Sequence, residues 1–277
     1  MILGLILDVA GRYLNPQFYA FYSRGHDVLR YALAALFLQN VWWLSASPPT
    51  NPPLWSLCYE FWYYAIFGSV IFIRGHVKRA AVVAVLAFIA GPNVLLLMPC
   101  WLIGAIAFLS AGRADRAIRS GLLYSGAIVC FLLFLYVVPA SPHPLGTPPL
   151  YFSAAFVSDW MLALAVGLLI AGFDSTARLS LSASPSTRAP VTWVRSLADH
   201  TFPLYLYHFP LLAFITATLP LAGINLRQAL AMSTALLVVI LMLSWATESQ
   251  RNVWKSLVQW LWTSLASYFD RTQGPGT

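Results

Sequence analysis

The chain has 277 residues, of which 60% are hydrophobic and only 9% are charged, and its mean hydropathy is +0.73. A soluble domain averages about 25% charged residues and cannot bury so much apolar surface, so the composition excludes an ordinary soluble protein. The net charge of +7 comes from cations between apolar runs, which the positive-inside rule explains without nucleic acid as a partner. We therefore predict an all-α, polytopic membrane protein embedded in a lipid bilayer.

The predicted elements begin with a partial helix. Residues 1–10 are apolar but supply only about half the length that crosses a bilayer, so we expect the tail of a spanning helix there. About eight apolar runs follow it as candidates for full transmembrane helices, of which the third, residues 80–91, is short. They cover residues 28–44, 58–73, 80–91, 94–111, 122–138, 155–172, 202–221 and 228–247.

A breaker, Gly91-Pro92-Asn93, divides one long apolar run into the third and fourth of these helices. With that division, loops rich in Lys and Arg alternate with loops that have neither, and merging the two helices would destroy the alternation. Because basic loops lie in the cytoplasm, the pattern predicts a cytoplasmic C-terminus. We expect the protein in the cell inner (plasma) membrane.

The connections indicate one membrane-embedded domain over residues 1–277. Residues 173–200 are rich in Ser, Ala and Pro and predict a cytoplasmic linker, and the Pro-rich residues 139–149 predict an outer loop. Residues 248–277 form the C-terminal tail, in which apolar side chains at helical spacing over 251–269 predict an amphipathic helix. The three cysteines, Cys58, Cys100 and Cys130, have no metal-binding spacing, so we expect buried side chains and no metal site.

Glu60 is the first candidate for chemistry, because an ionisable residue inside an apolar helix is costly. Asn51 and two prolines can start the helix that carries it. Ser56, Tyr63 and Tyr64 lie three or four residues from Glu60, so their hydroxyls share its helix face and can reach its carboxylate. An interfacial Glu in an aromatic belt is the alternative.

His208 is the second candidate, about two turns into a predicted spanning helix with Tyr205 three residues before it. Its imidazole needs a partner, as a base or simply as a bond to a neighbouring helix. We expect structural roles for Asp159 and Arg30 near helix ends. Helix capping is the default for the group around His200 and Thr201, and the loop histidines, His26, His76 and His143, are expected to be solvated.

Motifs of several enzyme classes are absent from the sequence, including G-x-S-x-G, H-E-x-x-H and the P-loop. The segment "PPLWSLCYEFWYYAIFG" carries Trp55, Ser56, Leu57 and Glu60 in an L-W-S-L-x-x-E pattern. This pattern resembles one of the membrane acyltransferase 3 family. The segment "LADHTFPLYLYHFPLL" matches the late S-Y-x-L-Y-L-x-H-x-P pattern through Tyr205, His208 and their neighbours. "FLQNVWW" and "MPCWLIGAIAF" also resemble family segments, in the same order.

The resemblance implies an integral membrane enzyme that transfers an acyl group, often acetyl, from a cytoplasmic acyl-CoA to a hydroxyl of a carbohydrate or similar acceptor. The acyl-CoA is a co-substrate, and no bound cofactor is implied. The matching positions mark Glu60 and His208 as catalytic candidates and Trp55, Ser56, Tyr64 and Tyr205 as substrate-binding candidates.

The chain departs from the family in one respect. Family members carry an early helix in which Arg or Lys precedes a His by eleven positions, and none of the five histidines here has that neighbour. We therefore expect that the family's first one or two helices, and the His that serves as base, are missing. A non-catalytic remnant, or a transporter-like protein for lipid-linked sugars, is the competing hypothesis.

Overall fold

The computed structural model describes residues 1–110, 117–137, 148–181, 200–219 and 225–248, with isolated positions at 198, 250 and between 253 and 264. These residues form helices and turns, which confirms the all-α prediction for the described part. The helices are α1 (Ile2–Leu14), α2 (Pro16–Tyr22), α3 (Asp27–Ala35), α4 (Trp55–Phe72), α5 (His76–Ser110), α6 (Ala117–Val137), α7 (Phe156–Leu181), α8 (Thr201–Thr218) and α9 (Leu226–Glu248).

The chain divides into two compact units, Met1–Val191 and Thr192–Thr277. In the first unit α1 packs on α2, α4 packs on α5, and α7 packs on both α5 and α6. The second unit consists of α8 packed on α9, together with the described tail positions.

Two helices of the described residues are long and apolar enough to cross a membrane, at His76–Leu109 and Leu226–Thr247. Shorter apolar helices cover Gly121–Tyr136 and Phe156–Ala171. The total of about eight spans stays a prediction, because it rests on the length and composition of apolar runs.

The first predicted full span, residues 28–44, is wrong. Helix α3 ends at Ala35, and residues 36–51 form an irregular segment in which Phe37 and Trp42 have φ angles of 56° and 52°. Positive φ is uncommon outside glycine and ends a right-handed helix. The Gln39 side chain then donates a 2.9 Å hydrogen bond to the Leu54 carbonyl, just before α4. The second half of this apolar run therefore forms an irregular segment that contacts the start of α4.

The predicted division at Gly91-Pro92-Asn93 is confirmed as a break inside α5. Gly91 has φ 76° and ψ 175°, which is non-helical. The 35-residue helix would extend about 52 Å if straight, well beyond the ~30 Å of a bilayer core. The break shortens the straight segments on either side of it.

Carbonyl oxygens at this break accept hydrogen bonds from neighbouring elements. The Trp42 amide donates to Ala90 O, and the side chains of Ser153, Tyr63 and Trp160 donate to carbonyls further along, at 2.6 to 2.7 Å. The acceptors of these three side chains are Asn93 O, Val94 O and Leu96 O, respectively. A broken apolar helix is stable only where such partners replace the regular ladder.

The structure describes only parts of the predicted linker, outer loop and C-terminal tail. Helix α7 continues to Leu181, nine residues into the predicted 173–200 linker, and residues 182–197 lie outside the described residues. Most of the predicted outer loop 139–149 also lies outside them. In the tail, the described positions between 253 and 264 are helical, and the rest of the predicted amphipathic helix is not described.

Candidate functional site

Glu60 lies one and a half turns into α4, which begins at Trp55 after a 3₁₀ turn, Pro52–Leu54. Asn51 occupies the position before that turn, and the two prolines fill its first positions. Because the helix reaches back past Ser56, the predicted alignment of Ser56, Glu60 and Tyr64 on one face is confirmed. Glu60 itself is only partly exposed.

The Glu60 carboxylate has one of the three predicted hydroxyl neighbours as a hydrogen-bond donor in the structure. Tyr64 Oη donates to Glu60 Oε1 at 2.9 Å. Tyr63 is instead directed into the core, where its hydroxyl donates to Val94 O at the α5 break. Ser56 Oγ donates to Pro53 O at 3.4 Å, a local bond within the first turn.

Aromatic rings surround the α4 face that carries these residues. Trp101 of α5 contacts Tyr64 edge to face at a centroid distance of 5.7 Å and also contacts Tyr63. Trp55 stacks on Phe152 at 5.0 Å with an interplanar angle of 7°. Trp55 therefore has a defined protein partner, and its contribution to substrate binding stays a prediction.

His208 lies in the middle of α8, and its ring orientation is set by its own helix. Nδ1 lies 3.1 Å from Leu204 O and 2.8 Å from Tyr205 O. Both neighbours are carbonyl oxygens, which only accept, so Nδ1 must carry a proton. In the neutral ring this tautomer leaves the lone pair on Nε2, the atom that can accept a proton from a substrate. The Tyr205 ring lies 6.1 Å from the imidazole.

Glu60 and His208 belong to different units of the chain. Glu60, Trp55, Ser56 and Tyr64 lie in Met1–Val191, whereas His208 and Tyr205 lie in Thr192–Thr277. The structure thus groups the predicted site residues into two sets. A hydrogen bond joins Tyr64 to Glu60 in the first set, and in the second set His208 lies against Tyr205.

The group around His200 does not cap α8 as expected. His200 occupies the N-cap position without a side-chain cap bond, and its Nδ1 lies 2.6 Å from the hydroxyl of the buried Ser244 on α9. Thr201 Oγ1 donates to Ala198 O. The expected cap is replaced by a hydrogen bond between two helices, because the imidazole is long enough to reach the neighbouring helix.

The other described ionisable candidates lie near the ends of helices. Arg30 donates to the carbonyls of Gly25 and Ser45, both at 2.9 Å, and so connects the turn before α3 to the irregular segment. Asp159 lies in the first turn of α7 and is partly buried. His26 precedes α3 with φ 53°, His76 is exposed at the start of α5, and His143 lies outside the described residues.

A buried carboxylate, Asp8, was missed by the sequence reasoning. Asp8 is 2% exposed in α1 and accepts hydrogen bonds from Tyr31 at 2.7 Å and from Thr50. Next to it, Arg12 forms an ion pair with Asp27. The signal was present in the sequence, since Asp8 is the only charge in the apolar residues 1–10, but its partners are 23 and 42 residues away.

The described residues contain no group of three or more His, Cys, Asp and Glu side chains that could hold a metal ion. Cys58, Cys100 and Cys130 are all unpaired by disulfides, and Cys58 is buried, with Sγ 3.0 Å from Phe37 O.

Comparison with known proteins identifies the family. A family model described as an acyltransferase domain matches residues 12–248, which is most of the chain and includes both Glu60 and His208. No curated protein and no solved structure matches significantly. The extent of the match shows that the chain belongs to the acyltransferase 3 family, a family of membrane acyltransferases.

Proposed function

We propose that the chain catalyses O-acyl transfer, specifically O-acetyl transfer, from acetyl-CoA to a hydroxyl of a cell-envelope carbohydrate. The enzyme acts in the plasma membrane, with its C-terminus in the cytoplasm. The observation that carries the proposal is the orientation of His208, whose Nδ1 is held by two carbonyls so that Nε2 is the basic atom.

The reaction joins the acceptor oxygen to the acyl carbonyl carbon and breaks the carbon–sulfur bond of the thioester. In this scheme His208 Nε2 takes the place of the base expected on the family's missing early helix: it accepts the proton of the acceptor hydroxyl, and the same proton leaves with sulfur as the CoA thiol. General-base assistance of this kind contributes about 10²- to 10⁴-fold to a rate.

For Glu60, in the first unit, the proposed role is to orient the acceptor. A carboxylate accepts hydrogen bonds from sugar hydroxyls. Tyr64 donates to one of its oxygens at 2.9 Å, and in the proposed complex the other oxygen accepts from the ligand. Trp55, Ser56 and Tyr64 of the first unit and Tyr205 of the second are proposed as substrate-binding residues. The aromatic rings among them suit the apolar faces of sugar rings, and Ser56 offers a hydroxyl.

The test is transfer of label from radiolabelled acetyl-CoA to lipid-linked saccharides extracted from the expressing cells, with the purified chain in nanodiscs. Transfer by the wild type that falls in Glu60→Gln supports the proposal. Absence of transfer in both proteins, with both shown to be folded by circular dichroism, rejects it.

The second candidate is a non-catalytic membrane protein that handles lipid-linked sugars. The break at Gly91 favours it, because transporters place their sites at discontinuous helices. Its test is the movement of a fluorescent lipid-linked sugar between the leaflets of proteoliposomes. Movement without acetyl transfer would favour this candidate over the enzyme.

A further inference from the structure

Asp8 occupies a position that connects three separate parts of the first unit. Its two carboxylate oxygens accept from Tyr31 of α3 and from Thr50 in the irregular segment. Asp8, Tyr31 and Thr50 are 2%, 5% and 0% exposed. An ionised or polar group so deeply buried is costly unless it is hydrogen-bonded, so these bonds account for its presence.

Thr50 lies close in sequence to the start of α4. Asn51 and the 3₁₀ turn Pro52–Leu54 are all that separate it from Trp55, and two prolines make this connection stiff. A shift of Thr50 is therefore transmitted to the first turns of α4, where Glu60 lies. The Gln39 bond to Leu54 O holds the same turn from the opposite end of the irregular segment.

We propose that Asp8 is a positioning residue for Glu60, because its carboxylate holds Thr50 and thereby fixes where α4 begins. The inference rests on the proposed function in so far as Glu60 orients the acceptor. Asp8 is too deeply buried to contact the acceptor itself, so its effect is exerted through the helix.

The hydrogen bond between Asp8 and Thr50 allows a conservative variant at each of the two positions. Asn at position 8 keeps one oxygen as an acceptor and offers an amide to the other hydroxyl, which can turn to accept it. Asp8→Asn therefore retains both contacts, whereas Asp8→Leu removes the acceptor that both buried hydroxyls share. Thr50→Ser and Thr50→Val form the matching conservative and disruptive pair on the other side.

The first measurement does not depend on activity. Amide hydrogen exchange of the full chain in nanodiscs reports local opening of residues 50–62. Residues 156–170 of α7 serve as the internal reference. We expect Asp8→Leu and Thr50→Val to accelerate exchange in 50–62 about tenfold, since one lost buried hydrogen bond changes an opening equilibrium by roughly that factor. Exchange in 156–170 should stay unchanged, and Asp8→Asn and Thr50→Ser should resemble the wild type.

The control is Tyr19→Phe, also in the first unit. Tyr19 is 1% exposed, and its hydroxyl donates to Leu7 O of α1 and not to Thr50. This variant removes a buried hydroxyl of the same kind, so it should leave exchange in 50–62 unchanged. Equal acceleration by Tyr19→Phe and Asp8→Leu would show general loosening and would overturn the proposal.

The second measurement is steady-state acetyl transfer. Asp8→Leu should raise KM for the saccharide acceptor about tenfold and leave KM for acetyl-CoA within about twofold, with recovery in Asp8→Asn. Unchanged exchange in 50–62 in a folded Asp8→Leu protein overturns the positioning role. If the wild type transfers no acetyl group, the proposed function fails, while the exchange measurement still decides whether Asp8 fixes the start of α4.

Discussion

The Tyr64 hydroxyl donates a 2.9 Å hydrogen bond to Glu60 Oε1, one helical turn away on α4. The pair lies on the side of α4 that remains accessible, since Tyr64 is 57% exposed. The bond holds the carboxylate along the helix surface, and a ligand hydroxyl could donate a hydrogen bond to Glu60 Oε2. This arrangement lets the contributions of the charge and of its orientation be separated by mutation.

Glu60→Gln should lower acetyl transfer about tenfold to a hundredfold, because hydrogen bonds to a charged acceptor are worth about 1.5–3 kcal/mol. Tyr64→Phe should lower it only about threefold, since it removes orientation and leaves the carboxylate. Initial rates with labelled acetyl-CoA measure both. A Tyr64→Phe protein that is as impaired as Glu60→Gln would show that the tyrosine hydroxyl, and not the carboxylate, meets the acceptor.

His208→Asn distinguishes a base from a packing residue. The Asn side-chain amide can donate to the carbonyls that hold Nδ1, but the variant has no atom equivalent to Nε2. We expect a melting temperature close to that of the wild type and a fall in acetyl transfer of about a hundredfold.

Tyr207→Phe, at the neighbouring position of α8, is the matched control and should keep wild-type transfer. Full activity in a folded His208→Asn protein would assign His208 a structural role and remove the base from the proposed mechanism.

Local chemistry explains which features were predictable from the sequence. The break at Gly91 was predicted because Gly and Pro act on their own backbone, and the Glu60–Tyr64 pair because helical spacing places residues four apart together. The end of α3 was missed because distant contacts determine it. Phe37 O accepts from Trp62 Nε1 at 2.9 Å, and Trp42 N donates to Ala90 O, so the local apolar pattern of residues 28–44 is overridden.

Gly91→Ala should lower the free energy of unfolding by about 3 kcal/mol, since two effects act together. The φ of 76° with ψ of 175° is accessible to glycine and strained for alanine. In addition, a Cβ at this position would lie 2.7 Å from the Cα and N of Trp42, which are backbone atoms that cannot simply rotate away.

Gly104→Ala is the control in the same helix, because an added Cβ there meets nothing within 4 Å. It should be neutral or slightly stabilising, as alanine favours helices by up to about 1 kcal/mol over glycine. Thermal unfolding in detergent compares the two variants. Equal melting temperatures for Gly91→Ala and the wild type would contradict the close approach of α5 to Trp42.

Ser153→Ala tests the hydrogen bonds that accommodate the broken helix. Ser153 is 0% exposed, donates to Asn93 O at 2.6 Å and is paired with the hydroxyl of Tyr59 at 3.0 Å. Alanine leaves both partners buried without this contact, so we expect a loss of about 1–3 kcal/mol in the free energy of unfolding. Ser158→Ala removes a hydroxyl that is bonded only locally, to Ala155 O at 2.8 Å, and should cost less than about 1 kcal/mol. Chemical denaturation in detergent measures the difference, and equal losses in the two variants would show that Ser153 does not hold the break.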